Sequence, residues 1–307
     1  MFNKVVIKLI KSYIKGLPSA LMEKVSQLLE LLTLEKIEER IFRGQNYETP
    51  WGRVFGGQVL AQAIQSAILT VADDRYLHSM HGYFLRPGDI KVPIVYDVDV
   101  LRDGGSFSTR RVIAIQKGKP IFNMAVSFHS LDDNQLEHQM EMPDVPQPEN
   151  LKTSEQLLEH LKKENPFMYK MLFNPKPIEF RPVEAIDPLE RTDHKPVRNI
   201  WFKVKEQLPD DLKLHQVILA YISDYNLMTT ATLPNRSKMS PGSHFFASLD
   251  HAMWFHRDFK ADEWLLYSLD SPSSSNSRGL GRGRIFTKEG VLVASTIQEG
   301  LMAPMRS

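Results

Sequence analysis

The sequence predicts an α+β fold of two like units, each a strongly curved antiparallel sheet wrapped around one long central helix. Three observations predict it. Gly57–Ala72 and Leu214–Met228 are both helix-periodic runs that are apolar on most of their faces, which leaves little of either helix for water. Each run is followed by four β-rich segments in the same order. In both halves the last two segments are joined by a tight turn ending in glycine, Lys117–Gly118 in one and Glu289–Gly290 in the other, at nearly the same offset.

Taken in order, residues 1–33 read as an N-terminal helical extension. Phe2, Val5, Val6, Leu9, Ile10, Tyr13 and Ile14 form a stripe, with Lys4, Lys8, Lys11 and Lys15 interspersed. Such a stripe fits an interfacial membrane helix or a transit peptide, but the arginines of a transit peptide are missing. An added helix, or an upstream start codon with Met22 as the usual one, is the plainer reading.

The first unit spans residues 34–131. Its helix carries Val59, Leu60, Ala63, Ile64, Ala67 and Ile68 on one stripe. Strand-like segments follow at His78–Arg86, Pro93–Leu101, Ser106–Gln116 and Pro120–His129. Residues 132–177 hold Pro143, Pro146 and Pro148, a polar helical stretch from Thr153 to Phe173, then Pro175 and Pro177, which is linker chemistry rather than core. The second unit spans residues 178–307, with Phe245–His256, Trp264–Leu269, Gly279–Thr287 and Val291–Gly300 after its helix. His81-Gly-Tyr-Phe-Leu matches His251-Ala-Met-Trp-Phe.

A helix apolar on most faces needs a sheet curved around it, which is the hotdog arrangement; two copies side by side make a double hotdog. The alternative is an ordinary two-domain α+β protein with its helices stacked on open sheets. The helix-then-meander order favours the double hotdog.

Composition excludes several functions. A net charge of +1 over 307 residues gives no global field for nucleic acid or an acidic polymer. The chain has no cysteine, so disulfides, thiolate metal sites and a cysteine nucleophile are all ruled out. No segment reaches the roughly 18–20 uninterrupted apolar residues of a membrane span.

Three polar groups of the second unit sit where packing alone would not put them. Asp224 interrupts the apolar helical run, and an ionised carboxylate there costs several kcal/mol or so unless it is paired. Strand alternation puts Ser248 on one face with Phe246, Asp250, Ala252 and Trp254. Gln298 shares a face with Leu292, Ala294 and Thr296. A carboxylate, a hydroxyl and a carboxamide suit the holding and activation of a water. The matching positions of the first unit are apolar or unrelated: Val126 stands opposite Gln298 and His78 opposite Ser248.

Other groups carry weaker signals. No G-x-S-x-G elbow is present. His78 and His81 have opposite strand parity, as do His251 and His256, so they read as structural histidines rather than metal ligands. Gly56–Gly57 is not a dinucleotide fingerprint, but Gly57 and Gln58 open a helix whose N–H groups could face an anion or a carbonyl oxygen. Gly279, Gly281 and Gly283 alternate with Leu280, Arg282 and Arg284, and Arg278 shares the arginines' parity. If extended, this strand offers bare backbone on one edge and guanidinium groups on the other, which suits phosphate recognition beside a close ligand as well as it suits a solvated strand.

RVFGGQVLAQA, HSMHGYFLRPGD, RDGGSFSTRRV, GKPIFNMAVSF, AYISDYNL, SLDHAMWFH, SRGLGRG and STIQEGLM together resemble the acyl-CoA thioesterase II family, in register from about Leu34 to Met302. The resemblance implies a double hotdog that hydrolyses fatty acyl-CoA of medium to long chain to free acid and CoA. It implies that Asp224, Ser248 and Gln298 are the catalytic set, with Ser248 where bacterial members often have threonine. It implies no cofactor, an acyl-CoA substrate, no nucleic acid, no stable membrane insertion, and a homodimer or homotetramer. The terminal MRS is not a peroxisomal S-K-L-type address, so a cytoplasmic enzyme of bacterial type is expected. The arginines Arg278, Arg282 and Arg284 would face the CoA phosphates. Two alternatives are a hotdog hydratase or dehydratase acting on enoyl-CoA, and an acyl-CoA binding module without turnover.

Overall fold

The structure is a computed structural model and describes residues 22–131, 136–172, 176–240 and 242–305. The stripe expected over Phe2–Ile14 and the last two residues lie outside the described residues. The helices are α1 (Val25–Leu32), α2 (Gly56–Ile68), α3 (Ser154–Leu158), α4 (Leu161–Glu164), α5 (Pro166–Leu172), α6 (Leu212–Ser223) and α7 (Leu227–Thr230). The first half holds strands β1 (Glu35–Glu38), β2 (Ile41–Gly44), β3 (Tyr76–Phe84), β4 (Ile94–Asp103), β5 (Phe107–Gln116) and β6 (Lys119–His129). The second holds β7 (Ile178–Pro182), β8 (Val197–Val204), β9 (His244–Ser248), β10 (Asp250–Phe255), β11 (Leu265–Ser275), β12 (Arg278–Thr287) and β13 (Leu292–Pro304).

All these strands join one antiparallel sheet in the order β1-β2-β4-β5-β6-β3-β10-β13-β12-β11-β8-β7, with β9 also on β13. The two sheets expected from the sequence are therefore continuous. They meet where β3 pairs with β10, with Met80 opposite Met253. Each half repeats strand, helix, strand and three-strand meander, so β2, α2, β3 and β4–β6 correspond to β8, α6, β10 and β11–β13. Strands β2 and β8, which precede each helix, add to the order expected from the sequence.

Both long helices end earlier than their periodicity predicts, and for identifiable reasons. Helix α2 stops at Ile68 rather than Ala72: the chain tightens to i→i−3 bonds at Thr70 and Val71, and buried Arg110 holds that turn by donating Nη2–H to Thr70 O at 2.8 Å and Nε–H to Thr70 Oγ1 at 2.9 Å. Helix α6 is capped by Asp211, which accepts from the Lys213 N–H at 3.0 Å. It stops at Ser223 because Asn226 takes a left-handed φ of 68°, a conformation that asparagine tolerates and continuous helix does not. Asp224 is thus the C-terminal cap of α6 and does not lie within a helix. That is where a side chain can leave the helix surface.

The core is shared by both halves, with α2 packed along α6; ten residues of α2 and nine of α6 are buried. A second apolar cluster lies on the opposite sheet face, where Trp201, Leu266 and Phe286 are buried under Met142, Val145 and Leu151. The proline-rich segment expected to be mere linker is a strap over that face. Gln139 accepts from the Leu292 N–H at 3.0 Å and donates to Gly290 O at 2.8 Å, and the Trp201 indole donates to Pro146 O at 2.9 Å. Trp201→Phe strands the Pro146 carbonyl and leaves part of the indole's buried volume empty, so we expect a loss of about 2–3 kcal/mol in denaturant unfolding. An unchanged midpoint would mean that the strap is not fastened there.

Candidate active site

Asp224 and Gln298 come together as the sequence predicts. The Gln298 amide donates Nε2–H to Asp224 Oδ1 at 2.7 Å, and the Gly57 N–H donates to Asp224 Oδ2 at 2.9 Å. Gly57 is the second residue of α2, where a helix leaves its N–H groups without internal partners, and the N-cap residue Phe55 offers no side-chain bond. The residue at the C-cap of α6 therefore caps the start of α2 with its carboxylate, and it ties the two halves together. Burial pushes the Asp224 carboxyl above its ordinary value of 3.8, while the Gln298 and Gly57 bonds act against that rise. A carboxylate of raised basicity is the electrostatic signature of a proton acceptor.

Ser248 reaches this face by a route that simple alternation misses. It ends β9 opposite Gly300 on β13, and paired residues of an antiparallel ladder point to the same side. Gly300 has the parity of Gln298, so Ser248 faces the same way as Gln298. Asp250, Ala252 and Trp254 do not, because the chain makes a bulge at Leu249: Ala252 and Trp254 pair with Ile297 and Ser295, on the other face. The Leu249 N–H donates to Glu299 O at 2.9 Å, and Asp250 Oδ1 accepts from the Glu299 N–H at 2.6 Å, which fixes the bulge. The expectation that Ser248 shares a face with those three residues is corrected. Among the described residues, no hydrogen bond joins Ser248 to Asp224 or Gln298. A second bulge, after Ile285 opposite Ala294, turns Leu292 to the strap-covered face, so Leu292 does not share the Gln298 face either.

The remaining candidates are placed elsewhere. The Gln58 side chain is buried and donates to Asn46 Oδ1 at 2.7 Å and Gln45 O at 3.1 Å, inside the first half. Arg278 pairs with Glu299 at 2.8 Å and Arg282 with Asp270 at 2.7 Å, while Arg284 lies 3.9 Å from Asp270. These arginines pair across β13 with Leu301, Ile297 and Ser295, on the face away from Gln298. The glycines between them are not bare backbone waiting for a ligand. A Cβ at Gly281 would stand 2.6 Å from Leu227 O of α7, one at Gly279 2.6 Å from the Ala231 Cβ, and one at Gly283 would collide with the Tyr267 ring, so the protein itself occupies that surface.

His251 is the member of the site that sequence reading set aside as structural. It is 1% exposed, and its Nδ1 lies 3.3 Å from Gln298 Nε2 while its Nε2 lies 3.0 Å from Ser223 Oγ. Burial pushes its imidazole down to about 3, so it is neutral. Only the order of the strands, which sets β10 beside β13, reveals this contact. Of the other candidate histidines, His81 packs edge-on against Trp254, while His78 bonds to Ser127 and His256 to Ser295, both at 2.8 Å. His78 and His256 border a cavity of about 270 Å³ near the start of α6, at the end of the helix remote from Asp224.

Aromatic side chains surround the carboxylate. Phe84 approaches Gly56, Phe55 packs on Tyr225 at 4.5 Å, and the hydroxyls of Tyr47, Tyr221 and Tyr225 form a chain with steps of 3.2 and 3.3 Å. Burial raises the Tyr47 phenol to about 12, so these groups stay protonated near neutral pH.

Comparison with known proteins adds the following. Residues 47–129 match the family model described as acyl-CoA thioesterase N-terminal domain, and residues 172–301 that described as acyl-CoA thioesterase. The chain is 40% identical over 281 residues to human acyl-coenzyme A thioesterase 8, covering 89% of this chain and 87% of that one. It superposes on an acyl-CoA thioesterase II from Mycobacterium marinum with a TM-score of 0.74 and 40% identity, covering 90% of this chain and 98% of that one. A conserved protein of Alicyclobacillus acidocaldarius with a hot dog fold aligns with a TM-score of 0.69 at 18% identity, over 90% of this chain and 98% of that one. The last likeness concerns the fold alone.

Proposed function

The chain belongs to the acyl-CoA thioesterase II family and is a thioester hydrolase, and from that premise we propose that it hydrolyses fatty acyl-CoA with Asp224 as general base on a water. The observation that carries this reading is the Asp224 carboxylate, held from both halves by the Gly57 N–H and the Gln298 amide and raised in basicity by burial. We read the two halves as two hotdog units, with the reacting groups where the end of α6 meets the start of α2.

In this reading, Asp224 takes a proton from the water as its oxygen attacks the thioester carbonyl. Gln298 and Ser248, on one sheet face, hold the water. Gly57 holds the base itself, since its N–H is already given to Asp224. The neighbouring Gly56 N–H, which has no partner among the described residues, is proposed as the donor for the oxyanion. Such donors are worth about 10²–10³ in rate. CoA thiolate leaves readily, so no strong acid is required. We leave Arg278, Arg282 and Arg284 out of the mechanism, because acidic partners already face them away from Asp224.

The acyl chain is proposed to lie against the rings of Phe84, Phe55 and Tyr225. At about 0.8 kcal/mol per buried methylene, KM should fall about fourfold per added CH₂ until the apolar surface ends. The test is thiol release from acyl-CoAs of graded length, run beside enoyl-CoA hydration. Release that strengthens with chain length supports the reading. Binding of acyl-CoA with no release would leave an acyl-CoA binding module, and hydration without release would leave a hydratase. No described helix is long and apolar enough to cross a membrane.

A further inference from the structure

We propose that His251 is a positioning residue: it decides which end of the Gln298 carboxamide faces the reacting water, and Ser223 sets the tautomer with which it does so. The inference rests on the thioesterase reading above.

A carboxamide turned by 180° has the same shape and the opposite chemistry, so something must fix its sense. Here the accounting of protons closes. The Ser223 hydroxyl gives its hydrogen to Ala220 O at 2.8 Å, so only its lone pair is left for His251 Nε2 at 3.0 Å. His251 therefore carries its proton on Nε2 and presents a lone pair on Nδ1. The Gln298 NH₂ then has two acceptors, Asp224 Oδ1 at 2.7 Å and His251 Nδ1 at 3.3 Å, one for each hydrogen. The reversed amide would set an oxygen against a carboxylate and a lone pair at once.

The consequence lies in the atom that is left over. Gln298 Oε1 is buried and has no partner among the described residues. A water that attacks a carbonyl must give its protons to acceptors so that its lone pair is turned to the electrophile. Asp224 accepts one, and Gln298 Oε1, the acceptor left free when His251 fixes the sense of the amide, accepts the other. Ser223 and His251 are themselves fully buried, so water does not compete for these bonds. Ser223 is also the residue before Asp224. The same helix end thus supplies the base and sets the tautomer that orients its partner.

The test is a double-mutant cycle between His251 and Gln298, read in kcat and KM separately. His251→Ala should lower kcat by about 10²-fold, in the range of a lost acid–base or oxyanion partner, with KM within about threefold of wild type. His251→Asn keeps an acceptor oxygen near the Nδ1 position and should recover most of that loss. In a Gln298→Ala background, removing His251 should change kcat by less than about twofold, because the group it orients is gone. Losses that multiply in the double variant, or an Asn variant as poor as Ala, overturn the inference. If His251→Ala does not fold, Ser223→Ala carries the same cycle with an expected loss of about tenfold, again absent when Gln298 is Ala. A wild-type protein that releases no thiol from any acyl-CoA overturns the thioesterase reading itself, an outcome distinct from the result of the cycle.

Discussion

Asp224→Asn should lower kcat for thiol release by about 10²–10⁴-fold while acyl-CoA still binds, since that is what positioned general-base catalysis contributes. Asparagine has nearly the same shape but no proton affinity. Its single amide oxygen can still accept from the Gly57 N–H, which keeps the junction of the two helices, while its NH₂ takes the place of the oxygen that accepted from Gln298. Equal rates in both proteins would keep the activity and discard Asp224 as its base. The pH profile gives a second reading of the same group. The base works only when ionised, so wild-type activity should fall on the acid side through a midpoint above the 3.8 of an ordinary aspartate. The sign for stability is the reverse. A carboxyl whose folded-state value is raised contributes most to stability below 3.8, and that contribution is lost as pH rises through the raised value. Activity and this share of stability therefore move in opposite directions with pH, as expected where a buried charge is kept for its chemistry.

Asp224 and Gln298 were legible in the sequence because each breaks an apolar pattern that is otherwise complete, and polar groups buried against a pattern are costly. The two long helices and the meanders were legible from period and turn chemistry, since Lys117–Gly118 and Gly290 do take the positive φ such turns need. What could not be read was set by single residues that change direction. Asn226 cuts the run Leu214–Met228 with its left-handed φ, which makes Asp224 a cap. The bulge at Leu249 reverses strand parity, so Ser248 joins Gln298 for a reason opposite to the alternation first drawn. The contact of His251 depends on β10 lying beside β13, a pairing between segments some forty residues apart that no local pattern encodes. The arginines of β12 show the converse. Their alternation with glycine was real, but a period says nothing about which face holds the chemistry, and the protein itself covers the glycine face.

Gly57→Ala should destabilise the protein and move its acid limb to higher pH, and it tests the helix junction directly. Taken alone, α2 would gain about 1 kcal/mol from alanine, since glycine is a poor residue inside a helix. Against this stands the space available. A Cβ at Gly57 would lie 2.3 Å from the Tyr221 carbonyl oxygen and 2.5 Å from the Phe55 ring. The carbonyl belongs to the backbone of α6 and cannot rotate away as a flexible side chain would, so the two helices must separate. Overpacking of this kind costs about 1–3 kcal/mol and occasionally more. Where it exceeds the propensity gain the net loss is about 1–2 kcal/mol, and the melting temperature of a chain this long should fall by about 1–3 °C. Gly105→Ala is the matched control, because a Cβ there meets nothing within 4 Å. Separation also draws the Gly57 N–H from Asp224 Oδ2, and that bond is one of the two that lower the carboxyl's affinity for its proton. Its loss lets the burial effect act further, so the pH at which activity is half lost should rise in the variant. A Gly57→Ala protein that is more stable than wild type, with an unmoved acid limb, would mean that α2 and α6 do not meet this closely and that Asp224 is not held by the first turn of α2.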